Sequence, residues 1–365
     1  MSEAVKKPIQ KPESYKPGEK PEIVNLSEQK SSKVVTNGKL TYIDNVPTLG
    51  WNIPWRNCTF SGSASLLLNA MGTKTTYEQV MGLSGSCYRA SMAYGWDFGS
   101  NIVDITYYWL KLNCDNVNRF YGMKFAGIDT DNTTEEEREK LARESIDAGV
   151  PVLVMGGRGA PEWGVMLGYE QTDNRYKYFG RSYFDGNLPK NESFTENRYA
   201  LMGNFPKVDH FMLFNNPSEP ISALDALKRS LEICQIMFQP HDKFGYGAYE
   251  KIISSLEKNE YTTKWNSEGD IDTIFINFAD ARKAANIYLL ESADLLKGQN
   301  KNNLLKVASL YKDMFDILHA IINEKGITTS EQTRNKIIEG FRRTVELERQ
   351  AQEIIKSILC NWQEF

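Results

Sequence analysis

The sequence predicts an α+β protein, with a mixed α/β domain followed by an all-α antiparallel helical bundle. The chain of 365 residues exceeds the roughly 100 to 200 residues of a typical single domain. Before Pro217–Pro220, short apolar runs alternate with turn residues, whereas after Ile221 apolar residues recur three and four positions apart. We therefore predict a disordered tail at 1–38, a mixed domain at 39–217 and a bundle at 218–365.

Composition argues against several classes of function. The formal net charge is −4, so the chain offers no basic field for a nucleic acid. No run reaches the roughly 18 to 20 apolar residues of a membrane span, and the N-terminus lacks the pattern of a signal peptide. We expect a cytoplasmic protein that binds neither nucleic acid nor membrane.

Cysteine and histidine usage predicts neither a disulfide framework nor a metal site. The five cysteines are scattered without a CxxC pair: Cys58, Cys87, Cys114, Cys234 and Cys360. The three histidines, His210, His241 and His319, have no HxH or HExxH spacing. We predict no metal and no cofactor.

The 39–217 domain is predicted to alternate helices and strands. Residues 1–38 are rich in Lys, Pro, Glu and Ser and should stay disordered, with order beginning near Leu40. The predicted helices are 57–70 ending at Gly72, 103–112, and 134–148, which opens on a Thr134/Glu137 capping box and stops at Gly149. The predicted strands are 150–155, 163–169, 176–184, which forms a hairpin with 163–169 through a turn at 173–174, and 210–215.

From Ile221 onward the chain is predicted to be helical throughout. Ser222 is the expected cap of the first of these helices. Further helices are predicted at 246–258, 273–296, 302–324 and 331–359. Their apolar stripes are explained by packing within one bundle, which could also form a homodimer.

Cys58 is the first candidate for chemistry. It stands at the start of the helix 57–70, where backbone N–H groups and the helix dipole stabilise a thiolate. The alternative is that Cys58 is an ordinary buried thiol, one of five in the chain.

Glu162, Arg181 and Asp185 lie on the strand pair that follows. Glu162 can act as a general base toward Cys58, although an ionised glutamate beside a thiol opposes thiolate formation. Arg181 can instead hold Glu162 in a bidentate salt bridge, as in a structural or ligand-binding site. Asp185 follows Arg181 by four residues and is a further candidate for substrate binding.

Further candidates for substrate binding flank these residues. The segment Met81-Gly-Leu-Ser-Gly-Ser-Cys-Tyr-Arg89 is expected to be a turn whose N–H groups, including that of Ser86, face an anion or acyl oxygen, with Arg89 adding charge. Trp163 is expected to line a pocket for an apolar ligand. The alternatives are an ordinary turn and an ordinary core aromatic residue.

Four motifs resemble a bacterial family distantly similar to the N-terminal domain of the butirosin-biosynthesis acyltransferase. They are Cys58-Thr-Phe-Ser-Gly-Ser-Ala64, the segment 81–89, Pro161-Glu-Trp-Gly-Val-Met-Leu-Gly-Tyr169 and Gly180-Arg-Ser-Tyr-Phe-Asp185. The likeness continues through Gly245-Tyr-Gly-Ala-Tyr-Glu250 and 278–285. It implies a papain-like fold and transfer of an acyl group from a carrier-protein thioester to an amine by a cysteine and a histidine.

Only the cysteine of that pair is matched, by Cys58. Papain-like proteins place the histidine at the start of a strand reading His-x-x-x-x-x-Gly-Tyr, and here Glu162 stands at that position. The first hypothesis is a thiol-dependent acyltransferase or amidohydrolase with Cys58 as nucleophile, Glu162 as base or orienting group, and Arg181 binding the substrate or fixing Glu162. The rival is a noncatalytic small-ligand-binding or sensor protein that keeps the cleft. The expected partner is a small-molecule or carrier-protein-bound acyl substrate.

Overall fold

A computed structural model gives the structure of the protein. It describes the following residues: 32–51, 55–96, 115–122, 124–129, 133–158, 162–173, 175–185, 199–203, 205, 210–215, 219–260, 268–322, 324 and 330–362. Within them the α+β class is confirmed, because strands fill the first part of the chain and helices alone follow residue 220. The helix predicted at 103–112 lies outside the described residues.

The strands form one sheet in which every pairing is antiparallel. They are β1 Val34–Asn37, β2 Leu40–Ile43, β3 Lys124–Asp129, β4 Val152–Met155, β5 Trp163–Gln171, β6 Tyr176–Ser182, β7 Ala200–Leu201 and β8 His210–Asn215. The order runs β1-β2-β5-β4-β8-β3, and β6 pairs with both β5 and β7. The four predicted strands and the predicted β5–β6 hairpin are confirmed.

The predicted disordered tail is wrong at its C-terminal end. Val34–Asn37 is a strand that pairs with Leu40–Ile43, with Asn37 opposite Leu40. Gly38 stands at the first position of the two-residue turn with φ +61°, as a type II′ turn requires. Charged and proline-rich composition hid this short β-branched segment. Residues 1–31 lie outside the described part of the chain.

The two predicted helices of this region that are described are confirmed, with their ends. Helix α1 spans Thr59–Ala70 and ends in a Schellman motif, because the N–H groups of Gly72 and Thr73 donate to the carbonyl groups of Asn69 and Leu68. Helix α3 spans Glu135–Asp147. Its capping box joins Thr134 and Glu137, and Gly149 follows with φ +77°.

The segment 81–89 is not the open turn that its glycines and serines suggested. Helix α2 spans Tyr77–Ser84, and Ser86–Tyr88 forms one 3-10 turn. A side chain at Gly82 would overlap the ring of Tyr288. Gly82 therefore allows a close helix contact here and does not break the helix.

The remaining helices confirm the predicted all-α region. They are α4 Ala223–Met237, α5 Tyr246–Glu257, α6 Glu268–Ser292, α7 Gly298–Ile322 and α8 Glu331–Cys360. Ser222 caps α4 as predicted, because its hydroxyl accepts the N–H of Asp225. Helices α7 and α8 run antiparallel, since Asn300 donates to the carbonyl of Asn361 at one end and Lys336 meets Glu324 at the other.

The chain forms two compact units. The first contains residues 1–77 and 121–219, and the second contains residues 78–120 and 220–365. The division at 219/220 lies beside the predicted boundary, but 78–120 groups with the C-terminal helices. No helix in the described part of the chain has the length and apolar character of a membrane span.

Candidate functional site

Cys58 occupies the N-cap position of α1 in the first unit. The residue is 4% exposed, and its side chain makes no capping hydrogen bond to the first turn. Its N–H donates to the hydroxyl of Tyr77 at 2.9 Å, and its carbonyl accepts the N–H of Gly62 at 2.9 Å. The hydroxyl of Tyr183 also donates to this carbonyl, at 3.4 Å. Backbone contacts thus hold Cys58 in place.

Glu162 is hydrogen-bonded to Thr59, the residue that follows Cys58. The hydroxyl of Thr59 donates to Oε2 of Glu162 at 2.7 Å. The same hydroxyl accepts the N–H of Trp163 at 3.4 Å. The start of β5 is therefore anchored on the first turn of α1, and the glutamate and the cysteine lie at the same end of this helix.

Arg181 pairs with groups other than Glu162. Its Nε and Nη2 both donate to the carbonyl of Val46, at 3.0 and 2.9 Å, and its Nη1 lies 3.9 Å from Oδ2 of Asp185. Its guanidinium also stacks 4.6 Å from the ring centre of Tyr199. Since Arg181 is buried among these groups, they occupy the fork that was expected to hold Glu162.

The sheet register explains why Arg181 turns away from Glu162. Arg181 lies directly opposite Val165, and opposed residues share a face of the sheet. Residues alternate faces along a strand, so Trp163 shares the face of Val165 and Glu162 is one residue out of phase. The register thus accounts for the contacts of Arg181 with Val46 and Asp185, and the expected salt bridge with Glu162 is not among the contacts of the described residues.

Asp185 follows β6 with its side chain only 4% exposed. Its Oδ1 accepts the N–H of Ser182 at 3.0 Å, whereas Oδ2 has no hydrogen-bond partner among the described residues. Burial raises the pKa of Asp185 to about 7, although Arg181, the Ser182 N–H and Arg158 favour the charged form. A carboxyl group with this pKa can exchange a proton near neutral pH.

Trp163 packs against α1, in the same unit as Cys58. Its ring meets that of Phe60 edge to face, with centres 5.6 Å apart. The residue is 2% exposed, and its indole N–H has no acceptor in the described part of the chain. The contact with Phe60 is what a core aromatic residue makes, while the buried indole N–H is a donor that a ligand could use.

Arg89 and Ser86 lie in the second unit. Arg89 is 2% exposed, and its Nη2 makes a 3.0 Å ion pair with Asp280 and a 3.3 Å hydrogen bond to the carbonyl of Asn277. Ser86 accepts the hydroxyl of Ser84 at 2.9 Å. The positive charge of Arg89, which was expected to face an anion, is therefore neutralised by Asp280 inside the second unit.

The other cysteines differ from Cys58 in their surroundings. Cys87 and Cys234 are fully buried in the second unit. Burial raises the pKa of Cys87 well above its ordinary value, and burial with Glu348 raises that of Cys234 to about 12. Cys360 is exposed at the end of α8. Cys114 lies outside the described residues, among which no cluster of His, Cys, Asp or Glu is arranged to hold a metal ion.

Three residues at the site were not singled out from the sequence as reacting or positioning groups: Thr59, Tyr77 and Tyr183. Thr59 carries the link to Glu162, and the two tyrosines hold the backbone of Cys58. The one available signal was a glycine inside a helical segment, Gly62, and the structure explains it because a side chain there would overlap the Tyr183 hydroxyl. The other two contacts join residues far apart in the sequence.

Comparison with known proteins assigns no family. No family model matches the chain, and no curated protein matches it at a significant level.

Proposed function

We propose that the first unit is a papain-like, thiol-dependent acyltransferase or amidohydrolase that acts on a small acyl or amide substrate. The observation that carries the proposal is the placement of Cys58 at the N-cap of α1, with Glu162 bound to the adjacent Thr59. A cysteine at a helix N-terminus is favoured as a thiolate by the helix dipole and the free N–H groups. Glu162 supplies a proton acceptor at the same end of the helix.

The chemistry divides into two balanced steps. In the first, Sγ of Cys58 attacks the acyl carbon, the thiol proton passes to the carboxylate of Glu162, and the leaving thiol or amine departs with that proton. In the second, an amine or water attacks the acyl group on Cys58. The bond from Sγ to the acyl carbon then breaks, and the proton of the attacking group returns to the thiol through Glu162.

The test is acylation of Cys58 by a panel of acyl thioesters, with and without an acceptor amine. Intact-protein mass spectrometry of the wild type should show an acyl adduct that disappears when the amine is added. Cys58→Ser should form no adduct, whereas Cys360→Ser, which removes the exposed thiol, should behave as the wild type. An adduct of equal size on Cys58→Ser would place the chemistry elsewhere.

A noncatalytic ligand-binding protein is the second candidate, favoured by a specific observation. Among the described residues, the buried Oδ2 of Asp185 has no hydrogen-bond partner and lies 3.9 Å from Nη1 of Arg181, so it remains open to a hydrogen bond from a polar ligand group. In that case Glu162 and Thr59 serve structure, and the thiol is not needed.

The two candidates differ in their dependence on Cys58. Thermal unfolding of the wild type and of Cys58→Ser is compared over a set of small amides and acyl compounds. Stabilisation that survives in Cys58→Ser supports ligand binding without covalent chemistry. Stabilisation confined to the wild type supports a covalent role. For either candidate we expect action in the cytoplasm, on a free or carrier-bound acyl compound.

A further inference from the structure

The N-terminus of α1 is buried with its donors unused. None of the N–H groups of Thr59, Phe60 and Ser61 has a hydrogen-bond acceptor among the described residues, and the N-cap side chain supplies none. All three residues are buried. Helix N-termini ordinarily satisfy these groups with a cap, water or a ligand, since a buried unpaired N–H costs free energy.

Ser61 adds a side-chain donor at the same place. It is 0% exposed, and its hydroxyl has no partner in the described part of the chain. Ser61 is the third residue of α1, and the Cα–Cβ bonds of a helix tilt toward its N-terminus, so this hydroxyl is carried on the turn that holds the unused N–H groups.

The amide of Cys58 itself is already occupied. In acyl transfer, the nucleophile's own N–H is one of the groups that can stabilise the oxyanion. Here this N–H donates to the Tyr77 hydroxyl at 2.9 Å. The donors for an acyl oxygen at this thiol are therefore sought on residues other than Cys58 itself.

We infer that the first turn of α1 and the hydroxyl of Ser61 bind the acyl oxygen of the substrate. This inference rests on the proposed function of Cys58. When Sγ adds to the carbonyl carbon, the electron pair of the C=O π bond moves to the oxygen, and the first turn of α1 receives the resulting oxyanion.

The charge balance selects the substrate class. Glu162, bound to Thr59, already places a carboxylate at this helix end, so a ligand that arrives with its own negative charge is repelled. During addition the thiol proton neutralises Glu162 while the acyl oxygen becomes negative, and the net charge of the site is unchanged. The substrate is thus an acyl compound with no charge next to the reacting carbon.

A neutral aldehyde, N-acetylglycinal, tests the assignment, because its adduct with a thiol carries the same tetrahedral oxygen. Its affinity is measured by protection of Cys58 from iodoacetamide in a Cys360→Ser background. Ser61→Ala should weaken the affinity about tenfold or more. The affinity is obtained from the alkylation rates of each variant with and without aldehyde, so a change in the reactivity of the thiol itself does not enter the comparison. Ser63→Ala is the matched control, because it removes another buried hydroxyl of α1 that has no hydrogen-bond partner among the described residues.

Three outcomes would overturn the inference: equal loss of affinity in both serine variants, no loss in Ser61→Ala, or no protection of the wild type. A second measurement needs no α1 variant and compares iodoacetamide with iodoacetate. Cys58 should prefer the neutral reagent more strongly than Cys360 does, and an equal preference would contradict the charge argument.

If the aldehyde binds as expected while thioesters leave Cys58 unmodified, the proposed function fails and the oxygen site stands. If Cys58 is acylated equally well in Ser61→Ala, the oxygen site fails.

Discussion

Asp185 and Arg181 form a buried pair whose charges are only partly matched. Nη1 of Arg181 lies 3.9 Å from Oδ2 of Asp185, whereas Nε and Nη2 of Arg181 donate to the carbonyl of Val46 at 3.0 and 2.9 Å. Burial lowers the pKa of Arg181 against the opposing effects of Asp185 and Tyr199. Burial therefore disfavours the charged form of both groups. Asp185 is the one whose protonation changes near neutral pH.

The raised pKa of Asp185, about 7, predicts that folding stability falls as pH rises. In the unfolded chain Asp185 ionises near pH 3.9. Between these two values the folded protein holds the extra proton, so the stability is fully present below pH 4 and is lost as pH passes through about 7. The loss is at most on the order of 4 kcal/mol.

Asp185→Asn should remove this dependence and be more stable than the wild type at pH 8. Urea unfolding at pH 5 and pH 8 measures the difference. Asp173→Asn is the matched control, since that carboxylate is exposed. If the free energy of unfolding of Asp185→Asn falls between pH 5 and pH 8 as much as that of the wild type, another group causes the pH dependence.

At the residue scale, the candidate site was predictable where it depends on local pattern. Cys58 was recognised because a buried helix follows it at once, and Glu162 because it stands where the resembling papain-like pattern His-x-x-x-x-x-Gly-Tyr has its histidine. The partner of Arg181 was not predictable, because it depends on which residue of β5 lies opposite it. A shift of one position reverses the face of a side chain, and composition does not determine register.

At the scale of elements, α1 depends on the absence of a side chain at Gly62. A methyl group there would overlap the hydroxyl of Tyr183, which donates to Cys58. Glycine in a helix interior ordinarily costs roughly 0.5 to 1 kcal/mol relative to alanine. The close contact with Tyr183 explains why glycine stands here.

Gly62→Ala should destabilise the protein by about 1 to 3 kcal/mol, as expected for overpacking. The measurement is the urea midpoint of single and double variants. Tyr183→Phe in the Gly62→Ala background removes the overlapping oxygen and should recover part of the loss, which a double-mutant cycle isolates. An increase in stability for Gly62→Ala would show that the tyrosine moves aside at no cost.

Elements with strong local signals were predicted with their ends. Helix α3 follows from its capping box, and the β5–β6 hairpin follows from alternation around a turn. Strand β1 was missed because its sheet pairing, and not its composition, holds it in place. The helical state of Gly82 was missed because it depends on a contact with Tyr288, which lies far along the chain.

At the scale of the molecule, the second unit is not continuous in sequence. Residues 78–120 belong with the helices that follow residue 220, and they contribute polar groups to the interior. Tyr88 meets Ser230 at 3.2 Å, and Asn116 donates to the carbonyl of Ala226 at 3.0 Å. A linear division assigned this segment to the first domain, since no pattern in a single stretch of sequence reveals its later partners.

The helices 220–365 should therefore be unstable when made alone. Removing 78–120 takes away Arg89, which neutralises Asp280 in the interior of the unit at 3.0 Å. Loss of one partner of a buried ion pair costs about 3 to 5 kcal/mol. The isolated fragment should unfold at a much lower urea concentration than the full chain, measured by circular dichroism at 222 nm.

The same fragment with Asp280→Asn, which removes the charge that Arg89 neutralises, should recover part of the stability. A fragment that unfolds cooperatively at the midpoint of the full chain would show that 78–120 is dispensable to the bundle.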